Sequence, residues 1–114
     1  MIKLNMDKKY NREYAIEKVK EFAALLKFNN IKVDAVYLFG SFTSDKEDLQ
    51  WSDIDVAVVS DDFSEFRFED NKRLIPLAIK VERRIETHPY TIKDFENSPF
   101  VHDEIKSKGL RMNI

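Results

Sequence analysis

Residues 33–39 read Val-Asp-Ala-Val-Tyr-Leu-Phe and stop at Gly40, one of only two glycines in a chain of 114 residues. A run rich in Val, Tyr, Leu and Phe that halts at a glycine predicts a buried strand. A buried strand needs a sheet beside it and helices to cover it, and the rest of the chain carries both patterns. Across residues 11–27, Ala15, Ile16, Val19, Phe22, Ala23 and Leu26 recur at spacings of three and four, with charged residues between them. That is an amphipathic helix facing a core, and Asn29-Asn30 suits its end. After a polar stretch at 41–52, Ile54, Val56 and Val58 alternate with Asp53, Asp55 and Ala57, which predicts a second strand entered through a loop.

Beyond a turn at 61–64, residues 66–80 have partly helical spacing, with Pro76 expected to kink or end the helix. Alternation from Val81 to Thr87 predicts a third strand ending near Pro89. Thr91 with Asp94, and Ser98 before Pro99, look like helix starts. The last helix is expected to reach Lys108 and to end at Gly109 in a left-handed cap. Residues 110–114 fit a short edge strand or a frayed tail. The order helix, strand, strand, helix, strand, helix belongs to a small α/β or α+β domain, and residues 1–114 read as one domain.

Several classes of function are disfavoured by composition. With 19 basic against 21 acidic residues and a net charge of -2, strong nucleic-acid binding is not expected, since phosphate contacts need clustered positive charge. No apolar run approaches the roughly 20 residues needed to cross a bilayer, and the start Met-Ile-Lys-Leu-Asn-Met lacks the apolar core of a signal peptide; the expectation is a cytoplasmic protein. The absence of cysteine leaves oxygen and two histidines as the ligands for any metal.

The residues that carry chemistry cluster around the other glycine. Gly40-Ser41 closes the first strand, and after eleven intervening residues Asp53-Ile54-Asp55 opens the second. Residues two apart on a strand point the same way, so Asp53 and Asp55 are expected to present two carboxylates on one face. Like charges that close repel unless something neutralises them; a hard divalent cation such as Mg²⁺, shared with substrate phosphates, does so. Gly40 allows close backbone approach to a phosphate, and Ser41 offers both a hydroxyl and an N–H.

Leu38-Phe39-Gly40-Ser41 followed by Ser52-Asp53-Ile54-Asp55-Val56-Ala57-Val58 resembles the signature of the DNA polymerase β-like nucleotidyltransferase superfamily, and the short chain resembles its minimal nucleotidyltransferase (MNT) branch. The resemblance spans roughly residues 15–96 and implies a small mixed sheet flanked by helices. It also implies a third carboxylate on a later strand, best matched by Glu86, with Glu82 and Asp94 as rivals. On that pattern Asp53, Asp55 and Glu86 are the catalytic, metal-binding set for two Mg²⁺ ions. Gly40 and Ser41 would hold the phosphates of a nucleoside triphosphate. Where many relatives carry a basic residue and a glycine, this chain has Phe42-Thr43-Ser44-Asp45-Lys46, so Lys46 is the candidate phosphate cation.

The implied activity is transfer of a nucleoside monophosphate, AMP from ATP, to a hydroxyl acceptor. Members of the MNT branch pair with helical HEPN toxins, which makes a HEPN tyrosine the expected acceptor and the chain an antitoxin. The rival reading is a non-catalytic module that neutralises such a partner by contact. A homo-oligomer is a further possibility. His88 is weighed as a metal or phosphate ligand against a structural role, and His102 is expected at the surface. Trp51 fits a core plug better than a base stack. Arg83 and Arg84 suit a solvated face better than a substrate groove. Phe63, Phe66 and Phe68 suit core packing better than an exposed patch.

Overall fold

The computed structural model describes residues 11–43, 49 and 52–114. Lys46 and Trp51, both weighed above, lie outside the described residues. The first helix, α1 (Arg12–Phe28), starts at Asn11, whose side chain accepts from the Tyr14 N–H at 2.8 Å. This is the side-chain cap that satisfies one of the first turn's orphan donors. Strand β1 (Ala35–Phe39) is buried along its whole length and runs into a single 3₁₀ turn, Gly40–Thr43. Strand β2 (Ile54–Val59), helix α2 (Arg67–Val81) and strand β3 (Ile85–Tyr90) follow. A short helix α3 (Ile92–Asn97), a π-helical turn (Val101–Lys106) and a two-residue strand β4 (Leu110–Arg111) complete the described fold.

The sheet order is β3-β2-β1-β4. Strand β1 pairs antiparallel with both β2 and β4, whereas β2 and β3 are parallel and joined through α2. This is the mixed sheet with flanking helices that the family resemblance implied. On one face Val19, Phe22 and Leu26 of α1, with Leu74 and Ala78 of α2, pack onto Val36, Leu38, Ile54, Val56 and Val58. On the other face Tyr37, Phe39, Ala57 and Val59 meet Phe95, Val101 and Ile105. Both faces of the central strands are therefore covered, which is why β1 reads as an almost unbroken apolar run rather than an alternating one.

Four expectations are corrected. Helix α2 continues through Pro76, which is exposed, so the Lys72 carbonyl that loses its helical donor lies on the solvent side. Val81 belongs to α2, and β3 begins at Ile85 and includes Pro89, tolerated because β3 is an edge strand. Gly109 does not adopt a positive φ; Gly40 alone among the glycines does, at 81°. A Cβ on Gly109 would instead stand 2.5 Å from the Ile105 carbonyl oxygen and 2.9 Å from that of Leu38, so this glycine serves a close backbone approach to β1. Of the three phenylalanines expected in the core only Phe63 is buried, while Phe66 and Phe68 are 70% and 75% exposed.

Candidate active site

The site grows from the end of β1. At Gly40 the chain turns with φ of 81°, a region that residues with a Cβ rarely adopt. A second reason for glycine is space: a Cβ there would lie 2.3 Å from Asp55 Oδ2. The turn is fastened from several sides. Thr43 Oγ1 donates to the Gly40 carbonyl at 2.8 Å, Arg12 Nε donates to the Phe42 carbonyl at 2.9 Å, and the Phe42 ring is fully buried. Arg84 lies over the same ring, 5.7 Å from its centroid, and donates to the Leu49 and Ser52 carbonyls. Arg84 is thus a clamp on the segment entering β2 and not the solvated residue expected, whereas Arg83 is exposed.

Across the parallel pair, Asp55 is in register with Glu86. Their facing positions on neighbouring strands bring two carboxylates together on the sheet face that also carries His88. His88 Nε2 lies 3.2 Å from Asp55 Oδ1 and 3.5 Å from Glu86 Oε1, and its Nδ1 lies 3.1 Å from Arg67 Nη2. A guanidinium can only donate. Nδ1 is therefore the acceptor, the ring proton sits on Nε2, and that proton points at Asp55. The Phe39 ring packs edge-on against the imidazole, 5.0 Å between centroids.

Ligand atoms of Asp55, Glu86 and His88 all fall within 4.8 Å of one another; with the His88 Nε2 proton directed at Asp55, the two carboxylates are the oxygen set suited to a hard divalent ion. Glu86 holds its proton more tightly than an ordinary glutamate. The causes are, in order, a hydrogen bond with the Asp55 carboxyl, partial burial and the Asp55 charge, opposed by His88 and reinforced by Asp53. A cation placed between these groups would reverse that bias.

The sequence-predicted residues are thus partly assembled. Gly40, Asp55 and Glu86 converge. Asp53 precedes β2, is exposed and stands outside the three-residue cluster. It borders, with Glu86 and His88, a groove of about 530 Å³ that runs along α2 past Arg67, Asn71 and Ile75. Ser41 lines a neighbouring pocket of about 380 Å³ with Gly40, Thr43, Glu104 and Lys108.

The two rivals for the third carboxylate are engaged elsewhere. Glu82 accepts from the Tyr14 hydroxyl and from the Arg84 N–H. Asp94 lies in the first turn of α3, its N–H capped by Thr91. His102 is exposed, as expected. Sequence reasoning missed Arg67, which reaches the site because buried Asp70 accepts from the Ser64 N–H and hydroxyl and so fixes the start of α2. It also missed Lys108. A single cation at a helix start or in the turn that follows a helix carries no sequence signal that separates it from ordinary surface charge.

No curated protein matches the chain in sequence. Two solved structures resemble it in fold. A chain of a mutant MntA–HpeT toxin-antitoxin structure has 21% identity and a TM-score of 0.52, with 82% of this chain and 71% of that chain covered. A chain from tri-AMPylated Shewanella oneidensis HEPN toxin in complex with MNT antitoxin has 21% identity and a TM-score of 0.51, covering 90% and 71%. In sequence, residues 16–111 match the nucleotidyltransferase domain. The match takes in the three strands that carry the turn and the carboxylates, and the chain belongs to the nucleotidyltransferase domain family.

Proposed function

We propose that the protein is a metal-dependent adenylyltransferase that moves AMP from ATP to a tyrosine hydroxyl of a helical HEPN partner, and so acts as the antitoxin of a toxin-antitoxin pair. The observation that carries the chemistry is the register of Asp55 against Glu86 beside the Gly40 turn. The tri-AMPylated toxin in the neighbouring structure supports the choice of adenylate and of partner.

In this reading Asp53, Asp55 and Glu86 would hold Mg²⁺, which when bound would supply charge stabilisation at the α-phosphate and a lowered pKa at the acceptor hydroxyl. Gly40 and Ser41 receive the β- and γ-phosphates. Glu86 would take the acceptor's proton; the acceptor oxygen attacks the α-phosphorus, the bond to the bridging oxygen breaks, and pyrophosphate leaves with that oxygen. His88 is a positioning residue, donating from Nε2 to Asp55 and so fixing the direction of that carboxylate.

The test incubates the protein with Mg²⁺, ATP labelled on the α-phosphate and the helical protein encoded beside it, and repeats the reaction with Asp55→Asn. Label on the partner that falls at least about 100-fold in the variant is the expected result. Label that survives the substitution removes Asp55 from the metal site. Neutralisation of the partner without any label would leave a module that works by contact.

A further inference from the structure

A triphosphate at the Gly40 turn arrives beside Asp53, Asp55 and Glu86, and needs positive charge on its far side. None of residues 40–43 supplies any. The arginines near the turn are committed: Arg12 to the Phe42 carbonyl, Arg84 to the Leu49 and Ser52 carbonyls, and Arg67 to His88. Lys108 differs from them. It lines the same pocket as Gly40, Ser41 and Thr43, and its side chain is 64% exposed. It pairs with Glu104, one turn back along the chain, at 3.2 Å. An exposed pair of this kind is worth little, so the ammonium can exchange that carboxylate for a more highly charged phosphate at small cost.

The position of Lys108 is also fixed, although its side chain is long. Gly109, next in the chain, donates its N–H to the Ile105 carbonyl at 2.8 Å and lies so close to the Leu38 carbonyl and Phe39 that a Cβ would not fit. Leu110 then pairs with Leu38 in the sheet. The backbone of residue 108 is therefore pinned beside the end of β1, which is where the Gly40 turn begins.

We propose that Lys108 is a phosphate-binding cation of this site, contacting the β- and γ-phosphates of the nucleoside triphosphate from the C-terminal side of the pocket. The inference rests on the nucleotidyltransferase reading above and assigns to a residue far along the chain the charge that the turn itself lacks. A lysine acts here as a point charge, so an arginine in its place should serve nearly as well.

Calorimetric titration of the full chain with Mg·ATP, and separately with Mg·tripolyphosphate, tests this in wild type, Lys108→Gln, Lys108→Arg and Glu104→Gln. Lys108→Gln should weaken both ligands about tenfold or more with an unchanged melting temperature. Lys108→Arg should stay within about threefold of wild type, and Glu104→Gln should bind more tightly by a few-fold. If Lys108→Gln binds as wild type does, or if Lys108→Arg is as impaired as Lys108→Gln, the assignment of Lys108 is overturned while the nucleotidyltransferase reading stands. A wild-type protein that binds neither ligand with Mg²⁺ present overturns both.

Discussion

Replacing Gly40 with alanine should damage the protein by two separable routes. The first is conformational: φ of 81° places an alanine in the left-handed region at a cost of about 1–2 kcal/mol. The second is contact with the site itself. The new methyl would stand 2.3 Å from Asp55 Oδ2 and 3.2 Å from its Cγ, so the carboxylate must move by roughly an ångström to restore ordinary contact. It is not free to do so, because Oδ1 accepts from His88. Forced displacement in a packed site costs about 1–3 kcal/mol, for a total of about 2–5 kcal/mol against the 5–15 kcal/mol typical of a domain.

A double-mutant cycle separates the two routes. In an Asp55→Ala background the carboxylate is gone and the remaining Cβ is 3.4 Å away, an ordinary contact. Gly40→Ala should there cost only the conformational part, about 1–2 kcal/mol. Urea unfolding of the four proteins, with m-values checked for constancy, measures the coupling directly. Equal costs in both backgrounds would refute the argument that Gly40 makes room for Asp55. A cost below about 0.5 kcal/mol in both would refute the backbone argument as well.

Two further outcomes follow from the same geometry. Gly109→Ala and Gly109→Asn should destabilise alike by about 2 kcal/mol or more in urea unfolding, because backbone carbonyls block the Cβ; an asparagine clearly better tolerated than alanine would restore the left-handed cap. Since the fold favours protonated Glu86, its contribution to metal-free stability is present below the usual glutamate pKa and lost as pH rises through the raised value. Wild type minus Glu86→Gln in melting temperature should therefore fall across that window, with Mg²⁺ reversing the fall at its upper end; a difference that rises with pH in the metal-free protein would contradict the arrangement.

How far the sequence speaks for itself varies with the kind of interaction. Local patterns were reliable where one face meets one core: the stripe from Ala15 to Leu26, the run into Gly40, and the alternation through Ile54, Val56 and Val58 all became the elements they suggested. The start of β3 was misplaced because Val81, Arg83 and Ile85 alternate by coincidence across a helix end and its connection. Glu86 could be chosen by family pattern, but its register against Asp55 is a product of strand pairing across 31 positions and has no local trace. The same holds for Arg84, whose hold on the Leu49 and Ser52 carbonyls depends on a loop far away in sequence. Gly109 shows a different limit: its neighbours in space are carbonyls of β1 and the π-helical turn, while its neighbours in sequence suggested a cap.

The placement of Pro89 on the outer strand has a consequence for how this protein can meet others. A proline lacks the N–H that a docking strand would seek, and β4 at the opposite margin pairs through only two residues. Among the described residues neither border offers an extended, ladder-ready backbone, so strand addition, whether by a second copy or by an unfolded segment, is discouraged at both. Side-chain surfaces of helices and loops are then favoured for association, a mode that shields the sheet from edge-to-edge aggregation.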